Sequence, residues 1–271
     1  MNLKKLKLLI LFFSHPIDVI LDGIRVQKEK QYKKKVLKKY KINQLPTLDL
    51  LELFPVFEEE LTTYSFLQST SQITDLLILK KLAKRFKDCN YFEIGSWRGE
   101  SIMNVSEVAA HCTSLNLSKA EMKLKRYSEA IIENHGFYLE NSNKITQLFC
   151  DSTKFDFQKL QQKFDLIFID GDHSYECVKS DTENCFNLRK DKNSIIVWHD
   201  YGYNFETVRH SVLCAILDGT PAEKHTNLYH ISNSMCAIYI EDQNFSTYQT
   251  DYPTTPNKNF LVSVKGGRFV K

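Results

Sequence analysis

YFEIGSWRGES, residues 91–101, governs how the rest of the chain is read. Tyr91, Phe92 and Ile94 form an apolar run broken only by Glu93, and two glycines, Gly95 and Gly99, follow four residues apart in a chain with only 9 glycines in 271 residues. An apolar strand that ends in a glycine turn and opens into a helix is the entry to an open α/β sheet, where ligands bind beyond the carboxyl ends of the strands. Gly95 and Gly99 are expected to let a ligand approach the backbone closely, with Glu93 beneath it. Two phosphate-binding turns are excluded by the spacing. A nucleotide P-loop ends in GK[ST] and a dinucleotide fingerprint needs GxGxxG, whereas this stretch is GxxxG.

Outward from that turn, strand and helix alternate. Strands are expected at 90–95, 112–117, 145–150, 164–170 and 193–199, each followed by a helical pattern. The uninterrupted runs LIFI and IIVW imply a parallel sheet covered on both faces. Two more runs, 227–232 and 234–240, joined by a turn at Asn233, imply an antiparallel hairpin at one edge. Residues 88–241 are therefore expected to form an α/β unit with a mostly parallel seven-stranded sheet and helices on both faces. Residues 46–87 read as a helical lead-in or lid, and 242–271 as a tail without a readable pattern.

The composition, 42% hydrophobic and 12% aromatic, suits one sizeable core. The net charge of +3 hides an asymmetry: residues 1–42 carry twelve Lys/Arg against three acids, which leaves the remainder near −6. The basic character belongs to an arm, residues 1–45, so the main body gives no reason to expect nucleic acid. The apolar run LLILFF within the arm is far short of the ~20 residues that span a bilayer, and Pro16 and Asp18 follow it in place of a cleavage site. Two readings of the arm stay open: a basic amphipathic segment on an anionic membrane surface, or a helix packed on its own domain. Seven dispersed cysteines without metal-like spacing read as reduced thiols of a cytoplasmic protein, peripheral at the inner membrane face if the first reading holds.

Two further stretches carry chemistry. FDLIFIDGDHSYECVKSD, residues 164–181, ends an apolar strand in Asp170, then Asp172 and His173; IIVWHDYG, residues 195–202, ends the next in His199 and Asp200. Neighbouring parallel strands lie ~5 Å apart, so Asp170 and Asp200 can meet across a divalent cation. Carboxylates with an imidazole whose ordinary pKa lies near neutrality also suit proton removal.

At these residues the chain resembles the class I S-adenosylmethionine-dependent methyltransferases. EIGSWRGES is similar to their first motif in the ExGxxxG form of catechol-type and small-molecule or sugar O-methyltransferases. IDGDHSYE followed by VWHDYG looks like a bacterial group that includes sugar and antibiotic O-methyltransferases, in which acids at these two strand ends hold magnesium. The resemblance covers roughly residues 88–240 and implies a Rossmann-like fold. It implies S-adenosylmethionine binding at Glu93, Gly95, Ser96, Trp97, Gly99, Ser101, Asn116, Asp151, Asp170, Asp172 and His173. It further implies Mg²⁺ or another divalent cation on Asp170, His199 and Asp200, with His173, Asp170 and His199 as the catalytic set. His173 falls where catechol-type enzymes carry a lysine base.

Two positions depart from the family pattern. His199 stands where the metal pair usually begins with Asp, and imidazole suits softer ions than Mg²⁺. Asn116 stands where an acid usually holds the ribose hydroxyls, and an amide bonds a hydroxyl less strongly than a carboxylate does. Asp151 matches the acid near the adenine, or else caps the helix after it. The implied activity is methylation of a hydroxyl on a sugar, glycan or other small acceptor, lipid-linked if the arm meets a membrane, in a chain that is compatible with a homo-oligomer. The alternatives are a catalytically degenerate scaffold of the same fold at the membrane, and a glycosyltransferase using DGD as its metal motif. An NAD-dependent dehydrogenase would need a third glycine and an acid at position 116.

Overall fold

The computed structural model describes residues 16–139, 142–241 and 244–268. Helix α1 (Pro16–Tyr40) leads to a two-residue strand β1 (Thr47–Leu48), one helical turn α2 (Leu50–Leu53) and helix α3 (Ile73–Ala83). Strand and helix then alternate: β2 (Asn90–Ile94), α4 (Glu100–Ser106), β3 (His111–Asn116), α5 (Lys119–Leu124), α6 (Glu129–Asn134), β4 (Ile145–Phe149), β5 (Leu166–Ile169), α7 (Tyr175–Leu188) and β6 (Ile195–Trp198). A small ribbon, β7 (Gly202–Asn204) with β8 (Thr207–Val208), precedes helix α8 (His210–Gly219), the hairpin β9 (Leu228–Ile231) and β10 (Ala237–Tyr239), and a last strand β11 (Thr247–Tyr248).

The strand order is β11-β1-β9-β10-β6-β5-β2-β3-β4, with β6, β5, β2, β3 and β4 parallel and β10 antiparallel to both β6 and β9. The chain runs from β2 outward through β3 to β4, then returns to lay β5 on the other side of β2. That reversal makes the carboxyl ends of β2 and β5 the topological switch point of the sheet, the place where such folds leave a crevice.

Among the described residues the sheet has nine strands where the sequence pattern indicates seven. The additional pair, β1 and β11, are two residues each, too short to show a period of two. β1 is set by its partner: it runs parallel to β9, His230 N–H donates to Pro46 O, and Ser232 N–H donates to Leu48 O. The segment read as a helical lead-in thus begins by joining the sheet, and residues 54–72 cross without a helix before α3.

Alternation along the central strands feeds two apolar layers. Tyr91, Leu166, Phe168, Ile195 and Val197 face α3 and α4 residues such as Leu79 and Val105, while Phe92, Ile167, Ile169, Ile196 and Trp198 face α7 and α8 residues such as Val178 and Val212. All of these strand residues are at most 3% exposed, as expected of a parallel sheet buried on both sides. All seven cysteines are free thiols, five of them buried in these layers or beside them.

The described part of the basic arm packs on its own domain. Val36 is fully buried, Tyr32 stacks on Tyr175 at 5.2 Å, and Glu29 accepts the first N–H groups of α8 from His210 and Ser211. Its anchor is Asp218 at the end of α8, which takes Lys35 at 2.7 Å, Lys39 at 2.5 Å, Tyr175 at 2.6 Å and the hydroxyl of Tyr40. Burial opposes ionisation of Asp218, but these four donors outweigh it and hold the carboxyl well below the usual carboxylate range. Residues 1–15 of the arm lie outside the described residues. Among the described residues no helix is long and apolar enough to cross a membrane.

Asp218→Ala removes the common acceptor of four donors and is expected to lower stability by about 1–3 kcal/mol and to expose residues 25–40 to limited proteolysis. Because the folded pKa is depressed, the stabilisation is present above the unfolded value of about 3.9 and lost as pH falls below it. In wild type, then, proteolysis of α1 should accelerate as pH drops below about 4, whereas the variant should be cleaved fast throughout.

Candidate active site

Gly95, at the end of β2, has φ +85°, and a Cβ there would lie 2.3 Å from the carbonyl oxygen of Asp170, at the end of β5. Gly99 has φ +102°, and its Cβ would meet the Leu139 side chain at 2.7 Å. From the sequence pattern both glycines are expected to serve the approach of a ligand. In the structure the space each leaves is filled by the protein itself, and at Gly95 this closes the turn after β2 on the turn after β5. Trp97 and Asp200 adopt φ of +43° and +54°, conformations that cost side-chain-bearing residues energy and concentrate at functional sites.

Beside these turns lies a cavity of about 210 Å³. Gly95 and Trp97 line it from the glycine turn, Asn116 and Leu117 from the end of β3, Asp151 and Ser152 from the end of β4, and Asp170, Gly171 and Asp172 from the end of β5, with Met122, Lys125 and His135 as a roof from the α5–α6 segment. The roof is locally determined: Ser118 and Glu121 form a reciprocal capping box that starts α5, and Glu121 also accepts the N–H of Asp151 at 3.0 Å. A larger concavity of about 480 Å³ lies at the amino ends of the strands, among Arg85, Asp88, Asp165, Lys190 and Glu241. Its charges neutralise one another, as in the 3.0 Å pair of Lys190 with Asp165.

Asn116 accepts the N–H of Ser96 at 2.7 Å through Oδ1, which leaves its amide hydrogens for a ligand in the cavity. Asp151 accepts from the backbone and hydroxyl of Thr153 and pairs with Lys125 at 3.0 Å, so it both caps the turn after β4 and lines the cavity. Trp97 Nε1 and both ring nitrogens of His135 are buried without a protein partner at the same cavity. Three polar atoms in that condition indicate a wall shaped to meet a polar ligand.

Next to the cavity is a chain of acids and imidazoles. His173 Nε2 lies 2.8 Å from Asp200 Oδ2. The buried ring of His199 has Nδ1 3.0 Å from Asp170 Oδ1 and 3.5 Å from Asp200 Oδ2, and Nε2 3.1 Å from Asp75 Oδ2. Asp75, fully buried on α3, also accepts the N–H of Met235 at 3.0 Å. Burial alone would lower the pKa of His199, but Asp170 foremost, with Asp200 and Asp75, raises it well above the ordinary imidazole value. For Asp200 burial acts against the charge and is overcome by hydrogen bonds from His173 and His199, which hold the carboxyl well below its usual range.

One ligand atom each from Asp170, His173 and Asp200 lies within 4.8 Å of the others. His173 thus stands where the sequence reading placed His199 among the metal residues. His199 Nε2 is taken up by Asp75 at 3.1 Å, and its three aspartates favour the protonated ring, which offers no lone pair to a metal. Asp172 is outside this group because its Oδ1 accepts the N–H of Ser174 at 2.7 Å, starting α7. That engagement also weakens DGD as a paired metal motif.

Of the residues expected to touch a cofactor, Gly95, Trp97, Asn116, Asp151, Asp170 and Asp172 line the cavity, whereas Glu93, Ser96, Gly99, Ser101 and His173 do not. Glu93 is fully buried and accepts from Tyr91 at 2.5 Å and from Ser101 at 2.8 Å, tying the start of α4 to β2. Two residues escaped the sequence reading. Asp75 announces itself only as one acid in an apolar helix, and His135 lies in a segment whose fold over the cavity no local pattern encodes.

Residues 92–201 match a family model described as a methyltransferase domain. No curated protein matches the chain. Among solved structures, the chain is similar to an O-methyltransferase from Bacillus cereus in complex with SAH, at 15% identity and TM-score 0.45 over 65% of this chain and 84% of that one. It is also similar to cofactor-bound Rv0187 from MTB, at 16% identity and TM-score 0.46 over 66% and 84%. A third likeness is to CalS10, an amino pentose methyltransferase from Micromonospora echinaspora, at 13% identity and TM-score 0.35 over 52% and 58%.

Burial raises the Glu93 carboxyl to about 7 against the lowering effect of its hydrogen bonds. A raised folded pKa means that its contribution to stability is complete below the unfolded value of about 4.3 and is lost as pH climbs through the folded one. Glu93→Gln, which cannot ionise, should therefore gain on wild type by on the order of a few kcal/mol between about pH 4 and 7, with a constant difference above that window. Denaturant unfolding across pH measures this, and a difference that does not change with pH would contradict it.

Proposed function

We propose that residues 92–201, which match a methyltransferase-domain model, form a class I S-adenosylmethionine-dependent methyltransferase domain and that the chain methylates a hydroxyl of a sugar or glycan, using His173 as the base. One observation carries this reading: Asp170 lines the cavity and also belongs to the His173–Asp200 cluster, so a methyl donor in the cavity and a base in the cluster would face one another across a single residue.

S-adenosylmethionine supplies an electrophilic methyl group, and methyl transfer to oxygen is an in-line displacement. The protein's part is then alignment and the removal of one proton from a poor nucleophile. With Asp200 accepting at Nε2, His173 carries its hydrogen there and presents a lone pair at Nδ1 to the acceptor hydroxyl. Asp200 is itself fixed between His173, His199 and Arg209, whose Nη1 lies 3.8 Å away. Asn116 would bond the ribose through its amide hydrogens, and Asp151 and Ser152 would lie toward the adenine. In the alternative arrangement, with His173 as a ligand and not the base, Asp170, His173 and Asp200 would hold a divalent cation, which would lower the pKa of an acceptor hydroxyl. Two carboxylates and an imidazole suit Mn²⁺, Fe²⁺ or Zn²⁺ better than Mg²⁺. The sugar class rests on the resemblance of IDGDHSYE and VWHDYG to sugar-modifying enzymes.

Titration calorimetry with S-adenosylmethionine and S-adenosylhomocysteine, with NADH and UDP-glucose as controls, should show saturable binding of the first two alone. In a methyl-transfer assay on sugar acceptors, His173→Ala should lower kcat by roughly 10²–10⁴-fold while leaving affinity for the donor unchanged. Absence of binding would sink the assignment as an activity, and a variant with wild-type turnover would remove His173 from the mechanism.

A further inference from the structure

Helix α1 does two things along its length. From Arg25 to Tyr40 it is held by the domain, through the guanidinium of Arg25 over the Tyr203 ring at 5.2 Å, Glu29 at the start of α8 and the Asp218 anchor. From Ile17 to Ile24 every residue but Val19 is exposed, and among the described residues nothing lies within 4 Å of where a Gly23 Cβ would sit. On these exposed turns Ile17, Ile20, Leu21 and Ile24, spaced i, i+3, i+4 and i+7, share one face and are 49–69% exposed. Such a stripe is costly in water and signals a contact surface.

The charges of the same helix indicate what covers it. Among the described residues Asp218 takes up Lys35 and Lys39, whereas the exposed Lys28, Lys30, Lys33, Lys34 and Lys38 make no ion pair. A short apolar stripe followed by unneutralised lysines is the composition of a helix at a lipid–water interface, with apolar side chains in the acyl boundary and lysines toward anionic head groups. The same features disfavour a second copy of the chain. Two turns are too few for a stable coiled coil, and paired helices would set like charges against one another. Residues 1–15 extend the composition, with three lysines around a run of Leu, Ile and Phe.

We infer that the stripe Ile17–Ile20–Leu21–Ile24 and the lysines that follow it form a docking surface for an anionic lipid bilayer. The exposed turns leave the domain at the rim of the candidate active site, since the Tyr203 ring under Arg25 also lies under Arg209, which reaches Asp200 at 3.8 Å. Docking therefore presents the site to the membrane surface, where a hydroxyl-bearing lipid head group or lipid-linked glycan would be encountered. The membrane contact stands independently of the methyl-transfer reading.

Cosedimentation of the full chain with phosphatidylglycerol-containing vesicles, and with vesicles of phosphatidylcholine alone, tests it. Binding should favour the anionic vesicles, weaken as salt is raised, fall roughly fivefold for each lysine removed in Lys28→Gln and Lys34→Gln, and fall by at least about tenfold in the double variant Ile20→Glu, Ile24→Glu. These side chains are exposed, so unchanged thermal unfolding of each variant serves as the folding control. Binding that survives the double variant at wild-type strength would overturn the assignment to this stripe. Absence of binding to either vesicle would overturn the lipid partner, as would a dimer in sedimentation velocity that the double variant abolishes.

Discussion

The architecture of the site depends on one close approach. The turn after β2 and the turn after β5 touch where Gly95 faces the Asp170 carbonyl, and any side chain at position 95 would occupy the space of that oxygen. With the turns closed, β2 and β5 pair along their length, and the reversal of strand order between them leaves a crevice at their ends. The cavity walls from β3 and β4 and the acids from β5 and β6 take their positions from this contact. A glycine that leaves room for the protein's own backbone does a different job from one that leaves room for a ligand.

A second constraint is electrostatic. The buried ring of His199, whose protonated form its neighbours favour, has its two nitrogens within 3.5 Å of Asp75, Asp170 and Asp200, contributed by α3 and by the ends of β5 and β6. Burying one charge would be expensive, but opposite charges at hydrogen-bonding distance from several sides make the cluster self-consistent. It links the lead-in helix to the site and orients the two carboxylates that surround His173.

The arm shows how the same physics gives one helix two environments. Where Asp218 collects its donors, α1 belongs to the domain. At its start, Ile17, Ile20, Leu21 and Ile24 are exposed instead. Of the two open readings of the arm, packing on its own domain is observed for residues 25–40.

Much of this was legible in the sequence. The runs NYFEI, LIFI and IIVW are almost wholly apolar because both faces of their strands are covered, so the parallel α/β core and the strand ends carrying Asp170, His173 and Asp200 could be located from local pattern alone. What escaped depends on partners distant in sequence. β1 is two residues long and exists because β9 accepts it. Glu93 is buried because Tyr91 and Ser101 enclose it. His199 is held by Asp75, 124 residues away, and His135 meets the cavity through the folding back of α5 and α6. The periodicity of apolar residues, a local property, determined the layers of the fold; which polar groups satisfy one another, a property of three-dimensional proximity, was decided only when the chain closed on itself.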